Sequence, residues 1–172
     1  MDIEPDSKDW TWVLREPCGE CGFVAADVDA ATVGARVRTQ LPRWQVVLGR
    51  MEARERPDPA TWSPTEYACH VRDAFLVFAD RVRLMLAEDD PQFANWDQDE
   101  TAIEDDYASQ LPSEVSSQLV VAGTAAAELF DAIPADGLGR TGRRSNGSVF
   151  TVETLLQYFL HDVVHHLHDV RG

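Results

Sequence analysis

Apolar residues recur at intervals of three and four positions along four long segments of the chain. This spacing places them on one face of a helix and predicts four amphipathic helices. The predicted helices cover residues 29 to about 51, 63 to about 88, 113 to about 134 and 151 to about 170. No segment alternates apolar and polar residues for long enough to predict a strand. The pattern therefore predicts an all-α four-helix bundle.

The start of the second predicted helix is strongly marked. Ser63 is an N-cap residue, Pro64 suits the first helical position, and Glu66 completes a capping box. Ser113 is the predicted cap of the third helix. Between these helices, residues 89–112 form a long polar segment, and loops of this length are usually functional or mobile.

The first 28 residues show no helical pattern and contain proline, glycine and two cysteines. We expect residues 1–28 to form an irregular strap over one bundle domain, residues 29–172. The start of the chain is acidic and polar, unlike a signal peptide, and no apolar stretch is long enough to span a bilayer. These features predict a cytoplasmic protein with no membrane partner.

The chain has a formal charge of −15, from 30 acidic and 15 basic residues. Such a charge repels polyphosphates, so we expect no nucleic-acid partner. Three cysteines are too few for a disulfide scaffold. Cys18 and Cys21 have the spacing of half a zinc ribbon, but no second cysteine pair completes it. A tight turn with two inert thiols is the favoured interpretation, and a redox pair is the alternative.

All five histidines lie in two of the predicted helices, and neutral imidazole is the commonest metal ligand in proteins. His70 lies in the second helix, and the last helix carries His161, His165, His166 and His168. On a helical wheel, His70, Asp162 and His166 flank the apolar faces and form the favoured metal-binding trio. His165 is expected to point outward, and His161 is expected to lie beyond the opposite edge of the apolar face. Because both pairs on the last helix are four residues apart, His161 and His165 remain the alternative ligands.

Two segments carry a resemblance to a known family. WSPTEYACHVRDAFLVFADRV and the terminal HDVVHHLHDV resemble the metal-binding helices of the DinB/YfiT-like superfamily, and within it the actinobacterial thiol-S-transferase branch that includes mycothiol-dependent maleylpyruvate isomerase. The resemblance extends from about Asp29 onward and implies a four-helix bundle with one divalent ion. Matched on the terminal histidine, the family pattern falls on His70, Asp162 and His166, with Asp169 as a downstream polar residue. Many relatives have histidine where this chain has Asp162.

Three protein ligands leave a divalent ion with open coordination positions, as in catalytic sites. An ion in such a site can bind a thiol as thiolate, which is a nucleophile. With the resemblance, this predicts a thiol-S-transferase that uses zinc or nickel and a low-molecular-weight thiol, mycothiol, to attack an electrophile. Arg143 and Arg144 precede the last helix and are candidates for binding the thiol cofactor. Either a monomer or a homodimer is compatible with the sequence.

Two other classes of function remain open. A metal-dependent hydrolase would hold water rather than thiolate at the open position. A non-enzymatic binding or stress-response module would use the histidines structurally. Metal analysis and the effect of added thiol distinguish the three classes.

Overall fold

A computed structural model describes residues 9–172. Residues 1–8, the first part of the predicted strap, lie outside the described residues. Five α-helices follow one another along the described part of the chain: α1 Val33–Leu48, α2 Pro64–Ala87, α3 Gln98–Glu104, α4 Pro112–Asp131 and α5 Val152–Asp169. The four long helices match the four predicted segments, whereas α3 is a short helix within the polar segment.

The four long helices enclose one apolar core. Both α1 and α2 pack against α4 and against α5. Trp44, Phe75 and Phe159 are fully buried between them. Helix α4 approaches its neighbours closely at Gly123, where a Cβ atom would lie only 2.5 Å from Leu41 Cδ2. Close packing of this kind fixes α4 against α1 and α2.

A small sheet corrects the all-α prediction. Strands β1 Gln92–Phe93, β2 Thr141–Arg144 and β3 Val149–Thr151 lie in that order, with β1 parallel to β2 and β2 antiparallel to β3. Strands of two to four residues are too short to show the alternation that predicts a strand. Gly147, with a φ of +96°, closes the turn between β2 and β3. The sheet joins the polar segment to the residue at which α5 begins.

The third long helix also begins earlier than predicted. Leu111 is its N-cap residue and Pro112 occupies the first turn, so Ser113 is already helical. Proline suits this position because its missing amide hydrogen is not needed in the first turn.

Residues 9–28 are irregular apart from short 3-10 turns, such as that at Trp10–Leu14, and they pack against α5. Val13 and Cys18 of this segment are buried, and Cys18 lies against His165 of α5. Among residues 9–172, no helix combines the length and apolar character needed to cross a membrane.

Candidate metal centre

The structure brings His70, Asp162 and His166 together. His70 Nε2 lies 3.2 Å from Asp162 Oδ2, and His166 Nε2 lies 3.4 Å from Asp162 Oδ1. One ligand atom from each of the three residues lies within 4.8 Å of the other two. Helix α2 contributes the first residue and α5 contributes the other two, which occupy successive turns.

Local structure fixes His70. The predicted capping box is present: the Ser63 side chain accepts from the Glu66 amide, and the Glu66 carboxylate accepts from the Ser63 amide. Arg56 donates to the same carboxylate. One turn further on, His70 is 1% exposed and its ring stacks on Trp96, with centroids 5.1 Å apart. The helix start and the stacked indole hold the ring in place, while its Nδ1 atom is buried without a hydrogen-bond partner among residues 9–172.

Asp169 orients His166. Its Oδ2 lies 3.0 Å from His166 Nδ1, so this nitrogen is the donor and Nε2 is left facing Asp162. A carboxylate that holds the far nitrogen of a histidine is the usual outer partner of a metal-binding imidazole. Asp169, the downstream polar residue of the family pattern, therefore contacts a proposed metal ligand.

The electrostatics of the cluster follow from its burial and its opposite charges. Burial acts against ionisation of Asp162, yet the imidazoles of His70 and His166 hold its pKa well below the usual value. Burial likewise acts against protonation of His166, but Asp162 and Asp169 raise its pKa to about 9. A divalent ion at this site would therefore replace the proton on His166.

Asp162 and His166 line a cavity of about 260 Å³, whereas His70 borders a smaller cavity of about 60 Å³ that Asp162 also lines. The residues lining the larger cavity include Trp10, Glu20, Tyr67, Asp162, His166 and Asp169. The donor set consists of two imidazoles and one carboxylate, and it suits zinc or another divalent transition metal. One of the imidazoles is already held by an outer carboxylate. Because two of the three donors face the larger cavity, it offers space for a further ligand.

The two candidate cofactor-binding arginines have different surroundings. Arg143 is more than half exposed and donates to Asp90 Oδ2 at 2.7 Å. Arg144 is buried, and its guanidinium lies over the rings of Phe150 and Tyr158, 5.6 and 5.8 Å from their centroids. It lines the smaller cavity of about 60 Å³ together with His70, Trp96 and Asp162. Arg144 is therefore near the cluster, whereas Arg143 is paired at the surface.

His165 is buried and does not point outward as the helical wheel predicted, and His161, predicted beyond the opposite edge of the apolar face, is buried as well. His161 and His165 are 4% and 6% exposed, because Trp10 covers both rings at centroid distances of 5.8 and 5.3 Å. Burial lowers the pKa of His161 to about 4, and the neighbouring His165 adds to this effect. A helical wheel contains only the residues of one helix, so it carries no information about the N-terminal segment that covers these histidines.

Cys18 and Cys21 lie against these two histidines. The sequence analysis favoured an inert turn over a zinc site at these cysteines, because a zinc ribbon needs a second pair of cysteines. A signal was nevertheless present, since two residues separate the cysteines and three separate the histidines, the spacings of Cys2His2 sites.

Comparison with known proteins agrees with this architecture. No curated protein matches the chain. A solved structure, described as "YfiT from Bacillus subtilis is a probable metal-dependent hydrolase with an unusual four-helix bundle topology", superimposes with a TM-score of 0.68 at 16% identity. The match covers 98% of this chain and 91% of the other, and it shows the fold. The DinB superfamily model matches residues 35–170, which include all five helices except the first two residues of α1. The chain therefore belongs to the DinB superfamily.

Proposed function

We propose that the protein is a divalent-metal-dependent thiol-S-transferase, with His70, Asp162 and His166 as the metal ligands. One observation carries the proposal: these three donors lie together, and two of them, Asp162 and His166, line a cavity that can receive a small cosubstrate. Catalytic metal sites have three protein ligands and an open position, whereas structural sites are closed.

A divalent ion bound here would lower the pKa of a thiol at the open position, so that thiolate is present at neutral pH. The protein itself orients the metal-binding imidazoles. Asp169 holds His166 by Nδ1, and Trp96 supports the ring of His70, so the ligands need little rearrangement. In the transfer, sulfur bonds to the electrophilic carbon, a leaving group such as halide departs, and the thiol proton passes to solvent.

The cosubstrates follow from the resemblance and from the lining of the site. The resemblance to actinobacterial thiol transferases favours mycothiol as the thiol. Arg144 lies beside the cluster and offers a cation to an electronegative group of either cosubstrate. The imidazole-rich ligand set favours zinc or nickel.

A metal-dependent hydrolase is the second candidate. The observation that favours it is the structural similarity to the Bacillus subtilis protein described as a probable metal-dependent hydrolase. The same three ligands would serve, with water in place of thiol. The two functions differ in their response to thiol, which is a substrate in one case and a competitor for the open position in the other.

The test compares metal-free, zinc-loaded and nickel-loaded protein in the conjugation of mycothiol to a bimane or haloarene electrophile. We expect conjugation only with metal, a preference for mycothiol over glutathione, and a rate that persists below the pKa of the free thiol. Hydrolysis of an ester or amide that is inhibited by thiol would support the second candidate. Conjugation that follows solution thiolate equally with and without metal would refute the transferase proposal.

A further inference from the structure

A second group of metal-ligating side chains lies outside the proposed catalytic centre. Cys18, Cys21, His161 and His165 each place a sulfur or nitrogen atom within 4.8 Å of those of the other three. The cysteines belong to the N-terminal segment and the histidines to α5. Two soft sulfur donors and two imidazoles form the donor set of structural zinc sites.

The spacing of one cysteine–histidine pair suits a tetrahedral ion. Cys18 Sγ lies 3.6 Å from His165 Nδ1. With ordinary Zn–S and Zn–N bonds of about 2.3 and 2.0–2.1 Å, a sulfur and a nitrogen on one tetrahedral ion are about 3.6 Å apart. In the metal-free chain the same distance is also compatible with a weak thiol hydrogen bond. This pair of ligand atoms is thus already at the spacing that an ion requires, and the remaining ligand atoms of the group lie within 4.8 Å of one another.

His161 provides an independent observation. Its Nε2 atom is fully buried and has no hydrogen-bond partner within residues 9–172. Burial of a polar atom without a partner costs free energy, and native structures contain few such atoms. An ion bound through Nε2 would give this atom the partner that the described residues do not supply.

The backbone around the cysteines holds the two thiols together. The Cys18 amide donates to the Phe23 carbonyl at 2.8 Å, and the Gly22 amide donates to the Cys18 carbonyl at 2.9 Å. Gly22 has a φ of +74°, a conformation that favours glycine. The sequence CGECG thus forms a compact turn that presents both sulfur atoms to the histidines of α5.

His165 also has the outer contacts expected of a metal ligand. While Nδ1 faces Cys18, Nε2 faces Glu20 Oε2 at 3.4 Å and Asp169 Oδ1 at 3.6 Å. A carboxylate on the far side of the ring selects the tautomer whose other nitrogen is free to bind a metal. Asp169 therefore contacts histidines of both clusters, since its other oxygen holds His166.

We propose that Cys18, Cys21, His161 and His165 bind a structural Zn²⁺ ion that fastens the N-terminal segment to α5. Four protein ligands close the coordination sphere, so this ion has a structural role. Binding converts two thiols to thiolates and releases their protons to solvent, without redox chemistry. The ion fixes Trp10 and Glu20 in the cavity wall. This proposal is independent of the reaction assigned to the first centre.

Metal content of the full chain tests the proposal. We expect about two zinc ions per chain in the zinc-loaded wild type and one in a Cys18→Ser/Cys21→Ser variant. Cys69→Ser is the matched control, because Cys69 is a buried cysteine outside the cluster, and it should retain two ions. His70→Ala should lose one ion and keep the cysteine-bound ion. Equal zinc content in wild type and the double cysteine variant would overturn the proposal.

Two measurements on the wild type keep the test valid if the cysteine variant does not fold. Cobalt-loaded wild-type protein should show sulfur-to-cobalt charge-transfer absorption, and its absence would overturn the proposal. Partly exposed Cys21 should react with iodoacetamide at least ten times more slowly with zinc than after chelation. An unchanged rate, or a Cys18–Cys21 disulfide in zinc-replete protein, would also count against the site.

Discussion

The Nδ1 atom of His166 lies 3.0 Å from Asp169 Oδ2, and this contact determines which ring nitrogen faces the cavity. Asp169→Asn should keep the side-chain shape but weaken the carboxylate's hold on the ring. Loss of such an outer partner typically costs about 10-fold to 100-fold in metal affinity or activity. Zinc affinity measured by chelator competition should fall accordingly. Unchanged affinity and unchanged conjugation rate would show that Asp169 does not position His166.

Removal of a proposed ligand should remove one ion. His70→Ala and His166→Ala should each lower the metal content by about one ion per chain, because two remaining donors hold a divalent ion poorly. Asp162→Ala should weaken binding at the same centre. The matched control is His168→Ala, since His168 is exposed on the same helix. Full metal content in both the His70 and His166 variants, measured by elemental analysis, would contradict the ligand assignment.

Metal binding at the first centre should depend on pH. The pKa of His166 in the metal-free protein is raised to about 9, whereas that of Asp162 is held well below its usual value. The ion therefore competes with one proton below pH 9, and affinity should fall by up to about tenfold per pH unit as the pH decreases. Competition titrations between pH 6.5 and 8.5, corrected for protonation of the chelator, measure this slope. A pH-independent affinity would show that His166 carries no proton in the metal-free state.

Arg144 and Arg143 form a matched pair for testing the cosubstrate site. Arg144→Gln should raise KM for an anionic or strongly polar cosubstrate by about tenfold, the effect of losing one charged contact of about 1.4 kcal/mol. Arg143→Gln should change KM little, because Arg143 is paired with Asp90 at the surface. Steady-state kinetics with metal-loaded protein provides the measurement. Equal effects of the two substitutions would indicate that Arg144 has no special role.

The start of α2 should contribute to stability in a pH-dependent way. Burial acts against ionisation of Glu66, but hydrogen bonds from Arg56 and Ser63 keep its pKa below the usual 4.5. The carboxylate therefore stabilises the fold above that value, and its contribution is lost as the pH falls through the folded-state pKa. Glu66→Gln should cost about 1–3 kcal/mol at pH 7.

Urea denaturation at pH 7 and below pH 4.5 measures this difference. The gap between wild type and Glu66→Gln should narrow in acid. Glu114→Gln is the control, since Glu114 occupies the first turn of α4 and is exposed. A gap that is equal at both pH values would show that ionisation of Glu66 does not stabilise the helix start.

The long helices and the Asp162–His166 pair on α5 could be predicted because their signals are local. The proximity of His70, which is 92 positions from Asp162, followed from the helical wheels together with the family resemblance. The capping box at Ser63 depends on residues three apart, and the spacing of Asp162 and His166 is one helical turn. The parallel pairing of Gln92 with Arg143 could not be predicted in this way. It joins two very short strands that are about fifty residues apart, and neither shows a periodic pattern.

The burial of His161 and His165 depends on contacts that are even further apart in the sequence. Cys18 and His165 are separated by 147 positions, yet they are in contact. A helical wheel describes one helix and contains no information on which other segment covers it. The sequence shows the spacing within the cysteine pair and within the histidine pair, but it does not show that the two pairs are close in space.

The three-stranded sheet has a consequence for substrate selection. The Asn95 amide donates to Ser145 Oγ at 2.8 Å, so the segment that carries Trp96 is tied to the turn after β2. Strand β3 leads directly into α5, and Trp96 and Arg144 line the smaller cavity. The smaller cavity therefore has walls braced by a common sheet. In the proposed reaction, a cavity of about 60 Å³ with such walls should accept only a small group of a cosubstrate.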